Sequence, residues 1–314
     1  MKRTTLVFTL FLLSINLGFG QLINKPGYEV SLNSLPYFGE QTPFWLIANN
    51  QGKYLPGGFN NTLEAKILGE INQEENISIG YGIEGINRYN QSNLAYINQA
   101  YVEAKVFFTH ISAGTRHKTF GNQDPSLSTG GLLWSGNARP IPKIGIGTNG
   151  FIDVPFTKGY LELSGYMEHG WFENNRDGWM DQPRHVKNVF LHHKFYRLRA
   201  GGDLPVHITW GLHHYAQWGG KSPEADEPYP SDLDAFYRVF IPQSADPSSS
   251  VSEGEVINKY GNHLGGRIIG LDAEFKDFYF NLYRQKIFED GSGLNWHNSE
   301  DGLYGISIKK KKKK

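Results

Sequence analysis

The protein has 314 residues, no cysteine, and 31 basic residues that formally balance 31 acidic ones. The absence of cysteine excludes disulfides and thiolate metal sites, so a folded chain must rely on hydrogen-bonded structure and packing. Without Lys2, Arg3 and the six terminal lysines, 23 basic residues face 31 acidic ones, and this acidic body argues against a nucleic-acid partner.

The first twenty residues have the three-part layout of a secretory signal peptide. Lys2 and Arg3 give a positive start, residues 6–13 are mostly apolar, and residues 17–20 lead to a small-residue exit. The apolar run is shorter than the roughly 18 residues that a membrane-spanning helix needs, so an uncleaved anchor is the lesser alternative. No later segment is long and apolar enough for such a helix. We therefore predict export, with residues 1–20 as the signal peptide.

The rest of the chain reads as short alternating strands separated by turns. In residues 77–84, apolar side chains occupy the odd positions and small or polar ones the even positions. Because successive side chains of a strand point to opposite faces, this pattern gives one apolar and one polar face. Two hairpins and three further strands show the same alternation: residues 62–71 with 77–84, residues 267–275 with 278–288, and residues 101–107, 160–167 and 206–213. The sequence predicts an all-β fold.

Three long polar or proline-rich stretches interrupt the strands. They are residues 119–143, 173–184 and 221–255. Loops of this length are usually functional or mobile. Within the third stretch, residues 232–240 are predicted to form a short helix with Ser231 or Asp232 as its cap.

The strand pattern favours a membrane barrel over a soluble β-sandwich or β-helix. Apolar faces recur along nearly the whole chain, and the opposite faces carry Glu, Lys, His and Gly, which suits a wet lumen. Many of the 20 Phe, 17 Tyr and 7 Trp residues fall near strand ends, where interfacial girdles lie. Strands of about nine to eleven residues match a tilted crossing, and only closed barrels satisfy the backbone in lipid without helices. We predict a large antiparallel transmembrane β-barrel over residues 21–308, with short helical segments in its long loops.

The chain ends in six lysines at residues 309–314, directly after an alternating segment at residues 305–308. A block of like charges repels itself and stays solvated, so we expect the lysines to interrupt the strand. A functional basic tail is one explanation. We favour a truncated or frame-shifted product, and we expect an incomplete barrel with an unpaired edge near Ile308.

The sequence contains no convincing motif for binding a cofactor or a metal. Residues 145–150 spell GxGxxG, but no amphipathic helix follows, so turns and close packing are the favoured interpretation. Adjacent histidines occur at residues 192–193 and 213–214. Neighbours on a strand point to opposite faces, so neither pair is expected to chelate one ion. We predict no cofactor and no metal.

Hydrolytic chemistry is not predicted either. Ser135 lacks the preceding glycine that a nucleophile elbow requires. Glu162, Glu168, Asp272 and Glu274 would be candidates for glycoside hydrolysis if they faced one lumen. Lumen carboxylates are more often solvated or paired with arginine. We therefore predict no catalytic residues and a protein that is not an enzyme.

Carbohydrate binding is harder to dismiss. Sugars bind on aromatic faces flanked by amide, carboxylate and guanidinium groups. Five tryptophans lie near such neighbours: Trp171, Trp179, Trp210, Trp218 and Trp296. For any single tryptophan, an interfacial girdle explains the position without a ligand and is the preferred interpretation.

Residues 126–142 form a specific motif, S-L-S-T-G-G-L-L-W-S-G-N-A-R-P-I-P, followed by a strand at residues 144–147. Further distinctive segments are residues 42–46 (TPFWL), 154–159 (VPFTKG), 211–220 (GLHHYAQWGG) and 234–240 (DAFYRVF). Taken in order, these segments resemble the Wzi family of capsule assembly outer-membrane proteins.

The resemblance implies a large monomeric outer-membrane barrel, with short helical segments packed toward the periplasmic side. It also implies association with capsular or other surface polysaccharide, as a lectin-like component that helps to hold the glycan at the cell surface. Outer-membrane lipid and the barrel assembly machinery are the other expected partners. An outer-membrane channel is the alternative function, and a glycan hydrolase is less favoured.

The motif residues form the candidate site. They are Trp134, Ser135, Gly136, Asn137, Arg139, Pro140 and Pro142 of the central motif, with His213, Gln217 and Trp218 of the later segment. Glycine and proline set backbone geometry, and polar residues of a buried loop must find partners. For the central motif we favour loop anchoring inside the barrel over direct glycan contact.

Overall fold

The computed structural model describes nine stretches of the chain. They are residues 26–36, 42–74, 76–90, 93–128, 130–174, 186–222, 227–246, 259–289 and 300–311. The predicted signal peptide, Trp179, Trp296 and the last three lysines lie outside the described residues.

Strands make up nearly all of the regular structure in these stretches. They are β1 (Gly27–Pro36), β2 (Phe59–Glu74), β3 (Ile77–Tyr89), β4 (Asn93–Val106), β5 (Thr109–Thr115), β6 (Pro142–Thr148), β7 (Ile152–Asp153), β8 (Leu161–Trp171), β9 (Phe190–Ala200), β10 (Val206–Trp218), β11 (Asn262–Phe275), β12 (Phe278–Phe288) and β13 (Leu303–Lys310). Two short helices accompany them, α1 (Phe44–Ile47) and α2 (Leu233–Phe240). Neither of these helices is long and apolar enough to cross a membrane, nor is any other among the described residues.

The strands form one antiparallel sheet in chain order. Each pairs with the next from β1 to β6, β6 pairs with β8, and the order continues to β13, while β7 pairs with β8. Within the described residues the sheet is open, with β1 and β13 at its two edges. Sequential antiparallel neighbours are the wall architecture of an up-and-down barrel. The predicted all-β antiparallel fold is confirmed.

Alternation gives the sheet two chemically different faces. On β10, Ile208 and Trp210 are exposed on one face, whereas Thr209, His213 and Tyr215 are buried on the other. We call the first the outer face, and it carries exposed Leu, Ile, Val and aromatic side chains on most strands. The second, the inner face, is polar and partly covered by a loop. Lipid-facing and lumen-facing residues alternate in this way in transmembrane barrels.

The strand connections differ in length at the two ends of the sheet. At the short-turn end, strands are joined by connections such as residues 107–108 and 276–277. At the long-loop end, the connections include residues 116–141 and 219–261. Exposed aromatic side chains mark both ends: Phe107, Phe108, Phe156, Phe275 and Phe278 at the short-turn end, and Phe59, Tyr89 and Trp171 at the long-loop end. Aromatic girdles at both interfaces are typical of outer-membrane barrels.

Strand β13 runs two residues further than the sequence predicted. We expected it to end at Ile308, but Lys309 and Lys310 continue the ladder with β12. Backbone pairing does not depend on side-chain charge. The Lys309 ammonium group also has a partner, because it forms an ion pair with Asp124.

Helix α2 begins at the cap that the sequence predicted. Asp232 is the N-cap residue, and its carboxylate accepts a hydrogen bond from the Ala235 N–H at 2.9 Å. Ala235 and Val239, one turn apart, are buried against Ala216 and Trp218 of β10. The helix therefore packs on the outer face of the sheet, near its long-loop end.

Candidate functional site

Residues 116–141, which we call the inner loop, leave β5 and cross the inner face before the chain returns as β6. Leu133 of this loop packs against Leu191, Tyr215 and Ile268 of the sheet. Burying a leucine side chain stabilises a fold by about 1.5–3 kcal/mol. This cluster therefore holds the inner loop on the inner face.

Trp134 of the central motif lies between aromatic and cationic groups. Its ring stacks on Tyr215 with 5.6 Å between centroids and 17° between planes, and it meets Phe120 edge-on at 6.1 Å. The Lys143 Nζ atom lies 4.8 Å from the tryptophan ring centroid. Aromatic and cation–π contacts of this kind are each worth about 0.5–1.5 kcal/mol. Trp134 thus connects the inner loop to β6 and β10.

The next motif residues connect the inner loop to the segment after α1. The Asn137 Oδ1 atom accepts a hydrogen bond from the Asn49 N–H at 2.6 Å, and the Gly136 carbonyl accepts one from the Gln51 N–H at 2.7 Å. The Ser135 hydroxyl accepts a hydrogen bond from the Asn137 N–H at 3.0 Å. A Cβ on Gly136 would lie 2.3 Å from the Asn49 Oδ1 atom and 3.1 Å from the Asn49 Cα. Glycine permits this close approach of two backbones.

The end of the motif returns the chain to the sheet. The Arg139 guanidinium carbon lies 4.1 Å from the centroid of the Tyr96 ring, and the group reaches the Glu173 carboxylate at 4.0 Å. Pro140 is buried, and Pro142 is the first residue of β6. A proline is tolerated at the first residue of a strand, although it has no N–H to donate to the ladder.

The three later motif residues do not form one cluster. His213 is buried on the inner face, and Gln217 is exposed on the same face near the long-loop end. Trp218 lies on the outer face, buried beneath α2. The residues assigned to one site by sequence are therefore divided between two faces of the sheet.

A buried ion cluster lies beneath the inner loop. The Glu168 carboxylate of β8 lies 2.7 Å from the Lys143 Nζ, 3.1 Å from the His193 Nδ1 and 3.4 Å from the Lys118 Nζ. Removing one partner of a buried ion pair typically costs about 3–5 kcal/mol, because the remaining charge is uncompensated. The cluster holds the start of the inner loop against β6, β8 and β9. Across the described stretches, no group of three or more His, Asp or Glu residues is arranged to hold a metal ion.

Lys118 of this cluster and the preceding residue, His117, are titratable side chains of the inner loop. Burial lowers the pKa of Lys118 from its ordinary value, although the Glu168 carboxylate opposes the shift. Burial also lowers the pKa of His117, and the charge of Lys143 lowers it further. The His117 ring therefore loses its proton at a lower pH than an exposed histidine does.

A cavity of about 470 Å³ opens on the inner face beside the inner loop, and we call it the inner cavity. This volume lies within the range of about 300–1,000 Å³ that is typical of small-molecule sites. Tyr166 and Phe195 line it and stack on each other, with 5.9 Å between ring centroids and 28° between planes. The charged groups on its walls are Lys105, Arg116, Lys118, Arg197 and Glu103.

A smaller space of about 250 Å³, the upper hollow, lies beside the inner cavity and toward the long-loop end. Its lining includes the amide side chains of Asn49, Gln51 and Gln123 together with Trp134. The two spaces share residues 117–119 as lining. The start of the inner loop therefore separates an amide-lined space from a cation-lined one.

The comparison with known families covers most of the chain. The model of the family described as Capsule assembly protein Wzi matches residues 42–314. The chain belongs to this family. The membership predicted from the motif segments is confirmed. A Wzi-family chain whose large antiparallel sheet has an apolar outer face is an outer-membrane, capsule-associated protein.

Two solved structures resemble this Wzi-family chain over most of its length. One is a mutant of the Rh. blastica porin, which is 12% identical and covers 89% of this chain and 89% of its own, with a TM-score of 0.30. The other is a loop-deletion mutant of OmpT, an outer membrane protein of Vibrio cholerae. It is 10% identical and covers 91% of this chain and 97% of its own, with a TM-score of 0.30. None of the curated proteins compared with the chain matches it.

Carboxylates considered for hydrolysis have other partners in this Wzi-family chain. Both oxygens of Glu162 accept hydrogen bonds from Arg199 at 2.6 Å. Glu168 belongs to the buried ion cluster, and Asp272 accepts a hydrogen bond from the Asn281 amide at 2.7 Å.

Sequence reasoning missed the cationic wall of the inner cavity. Arg116 and Lys118 lie at the start of a long loop, where a cation has no evident partner in the sequence. One signal was present on β9. Phe195, Arg197 and Arg199 occupy every second position, which places a ring and two guanidinium groups on one face of the strand.

Proposed function

We propose that this protein associates with capsular or other surface polysaccharide and supports its attachment or assembly at the cell surface. Membership of the capsule assembly family over residues 42–314 carries the proposal. The upper hollow supports it, since pockets that orient a ligand combine aromatic side chains with a few polar groups. The ion pairs of Glu162 and Glu168 favour a binding role over catalysis.

The lengths of the strand connections indicate how the protein is oriented. Outer-membrane barrels have short periplasmic turns and longer extracellular loops. The long-loop end, with the upper hollow, would then face outside. This orientation places α1 and α2 on the external side, whereas the family resemblance implied helices toward the periplasm. Cleavage of residues 227–246 by protease added to intact cells would support the external position.

Retention on immobilised capsular polysaccharide tests the proposal. Full-length protein, purified in detergent micelles, is passed over polysaccharide from the source strain and over dextran as an unrelated glycan. We expect retention on the capsular polysaccharide alone, and loss of retention for a heat-denatured sample. Equal passage through both columns would exclude the binding role.

The same proposal includes the remaining partners. The apolar outer face would contact outer-membrane lipid, the barrel assembly machinery would insert the chain, and the folded protein would act as a monomer without a cofactor. Light scattering on the detergent-solubilised protein measures the oligomeric state. A stable dimer would contradict the monomer.

A transport channel is the second candidate function, and the inner cavity is the observation that favours it. The inner loop, however, covers part of the inner face through the packing of Leu133 and Trp134. We therefore expect conductance near baseline in planar bilayers. Stable conductance steps would favour the channel instead.

A further inference from the structure

The inner cavity is positively charged although the protein as a whole is not. Its walls carry four cationic side chains against the carboxylate of Glu103, while the body of the chain is acidic. Glu103 already pairs with Arg116. The Glu168 carboxylate behind the wall is shared by Lys118 and Lys143. Lys105 faces the Glu70 carboxylate at 3.9 Å. Arg197 has no such partner among the described residues, so the cavity has more positive charge than the nearby described carboxylates balance.

Arg197 is a wall cation that has no counter-ion among the described residues. In the part of the chain that the structure describes, its Nε is buried with no hydrogen-bond partner, and no carboxylate pairs with the guanidinium group. The group lies against aromatic rings instead, with its carbon 4.8 Å from the Phe195 centroid and 5.4 Å from the Phe151 centroid. Stacking fixes the guanidinium plane and leaves N–H donors free. A partly buried charge without a partner costs stability, and such costs are found at functional sites.

A second buried group on the same wall has a free polar atom. His213 lines the inner cavity and is only 1% exposed. Its Nδ1 lies 3.4 Å from the His193 Nε2, but its own Nε2 has no hydrogen-bond partner among the described residues. Buried polar atoms are nearly always paired. A free ring nitrogen on a cavity wall is the position where a ligand hydroxyl would supply the missing partner.

We propose that the inner cavity binds an acidic sugar residue through its carboxylate. The fork of Arg197 matches a planar carboxylate with two parallel N–H donors. Lys118 adds a second positive charge, and a sugar hydroxyl that reached the buried His213 Nε2 would supply its missing hydrogen bond. Tyr166 and Phe195 supply ring surface on the wall. This inference rests on the proposed function and adds to it the charge class of the glycan.

Titration calorimetry on the full-length protein in detergent micelles tests this, with trigalacturonate as the acidic probe. Its fully methyl-esterified form is the neutral control, since it keeps the ring skeleton and loses the charge. We expect the wild type to bind the acid at least about tenfold more tightly than the ester. Arg197→Gln should remove that preference.

Arg199→Gln is the matched control variant. Arg199 lies two residues along the same face of β9, but Glu162 already holds its guanidinium group, and it does not line the inner cavity. We expect its affinity for trigalacturonate to stay within about twofold of wild type. Arg197→Lys keeps the charge and loses the fork, so its affinity should lie between those of wild type and Arg197→Gln. Circular dichroism confirms that each variant is folded.

Equal affinity of the wild type for the acid and the ester would overturn the inference. An equal loss in the Arg197 and Arg199 variants would do the same. If inorganic phosphate competes for the cavity as strongly as trigalacturonate does, the cavity is a general anion site, and the assignment of an acidic sugar is overturned. Retention on capsular polysaccharide is measured on the same samples. If the protein is retained on the polysaccharide but does not bind trigalacturonate, this inference alone fails. If the protein binds trigalacturonate but is not retained on the polysaccharide, the proposed function alone fails.

Discussion

At Gly136 the inner loop passes the backbone of Asn49 with no room for a side chain. Gly136→Ala therefore forces the loop to shift, and we expect it to lower the free energy of unfolding by about 1–3 kcal/mol. Urea titration followed by tryptophan fluorescence measures the change. Ala138→Ser, at an exposed position of the same loop, is the control and should stay within about 0.5 kcal/mol of wild type. Equal stabilities for the two variants would contradict the close packing.

Lys118 should give the inner cavity a pH dependence. Because burial lowers its pKa, its ammonium group loses its proton at a lower pH than an exposed lysine does. Deprotonation removes positive charge from the cavity wall, so affinity for trigalacturonate should fall as the pH rises through the alkaline range. Lys118→Arg should flatten this fall, because arginine stays protonated. Identical pH profiles in the calorimeter for wild type and variant would rule out a direct contribution from Lys118.

Helix α2 is attached to the sheet by a short apolar contact. Val239 is fully buried in it. Val239→Asp places an unpaired charge there, and we expect the helix to detach while the sheet stays folded, since α2 packs on the outside of the strands. Limited proteolysis should then cleave residues 227–246 several-fold faster. Leu233→Asp, at an exposed first-turn position where an acidic residue is favourable, is the control and should leave the cleavage rate unchanged.

The strands show why the sequence predicted some elements and missed others. In strands such as β10 and β12, successive side chains point alternately toward lipid and toward the lumen. The resulting two-residue alternation of apolar and polar residues is visible in the sequence. Strand β9 was not predicted, because His192 and Lys194 make its outer face look polar. The structure explains both residues, since α2 covers them and the Lys194 ammonium group lies 3.9 Å from the centroid of the Phe240 ring. A helix from a distant loop hides polar groups that the local pattern would place in lipid.

The candidate site was less predictable than the sheet. The central motif could be found from its unusual residues, and its glycine was expected to set backbone geometry. That Trp134 lies on Tyr215, or that Arg197 lacks a counter-ion in the described part of the chain, depends on segments far apart in the sequence. Such contacts follow from the register and curvature of many strands, which no single segment specifies. The inner cavity therefore emerged only from the assembled inner face.

The outer face as a whole predicts how the protein responds to added charge. Ile269 lies in the middle of β11 and Phe278 at the short-turn end, and both are exposed on the outer face. We expect Ile269→Arg to destabilise the protein in lipid vesicles by about 2–4 kcal/mol and Phe278→Arg by about 0–1 kcal/mol. Urea unfolding of the vesicle-inserted variants measures both. Equal costs at the two depths would argue against the membrane position of this face.

The contacts of the inner loop also set an order of assembly. The Leu132 N–H donates to the Gln285 Oε1 at 2.8 Å across 153 positions of the chain, and the Gln285 amide donates to the Gln123 Oε1 across 162 positions. Contacts between such distant segments form late, because the entropy of closing the intervening chain is lost before they stabilise anything. The inner loop precedes β12 in the chain but lacks its full set of hydrogen-bond partners until β12 has joined the sheet. Docking of the loop on the inner face therefore follows the pairing of the later strands.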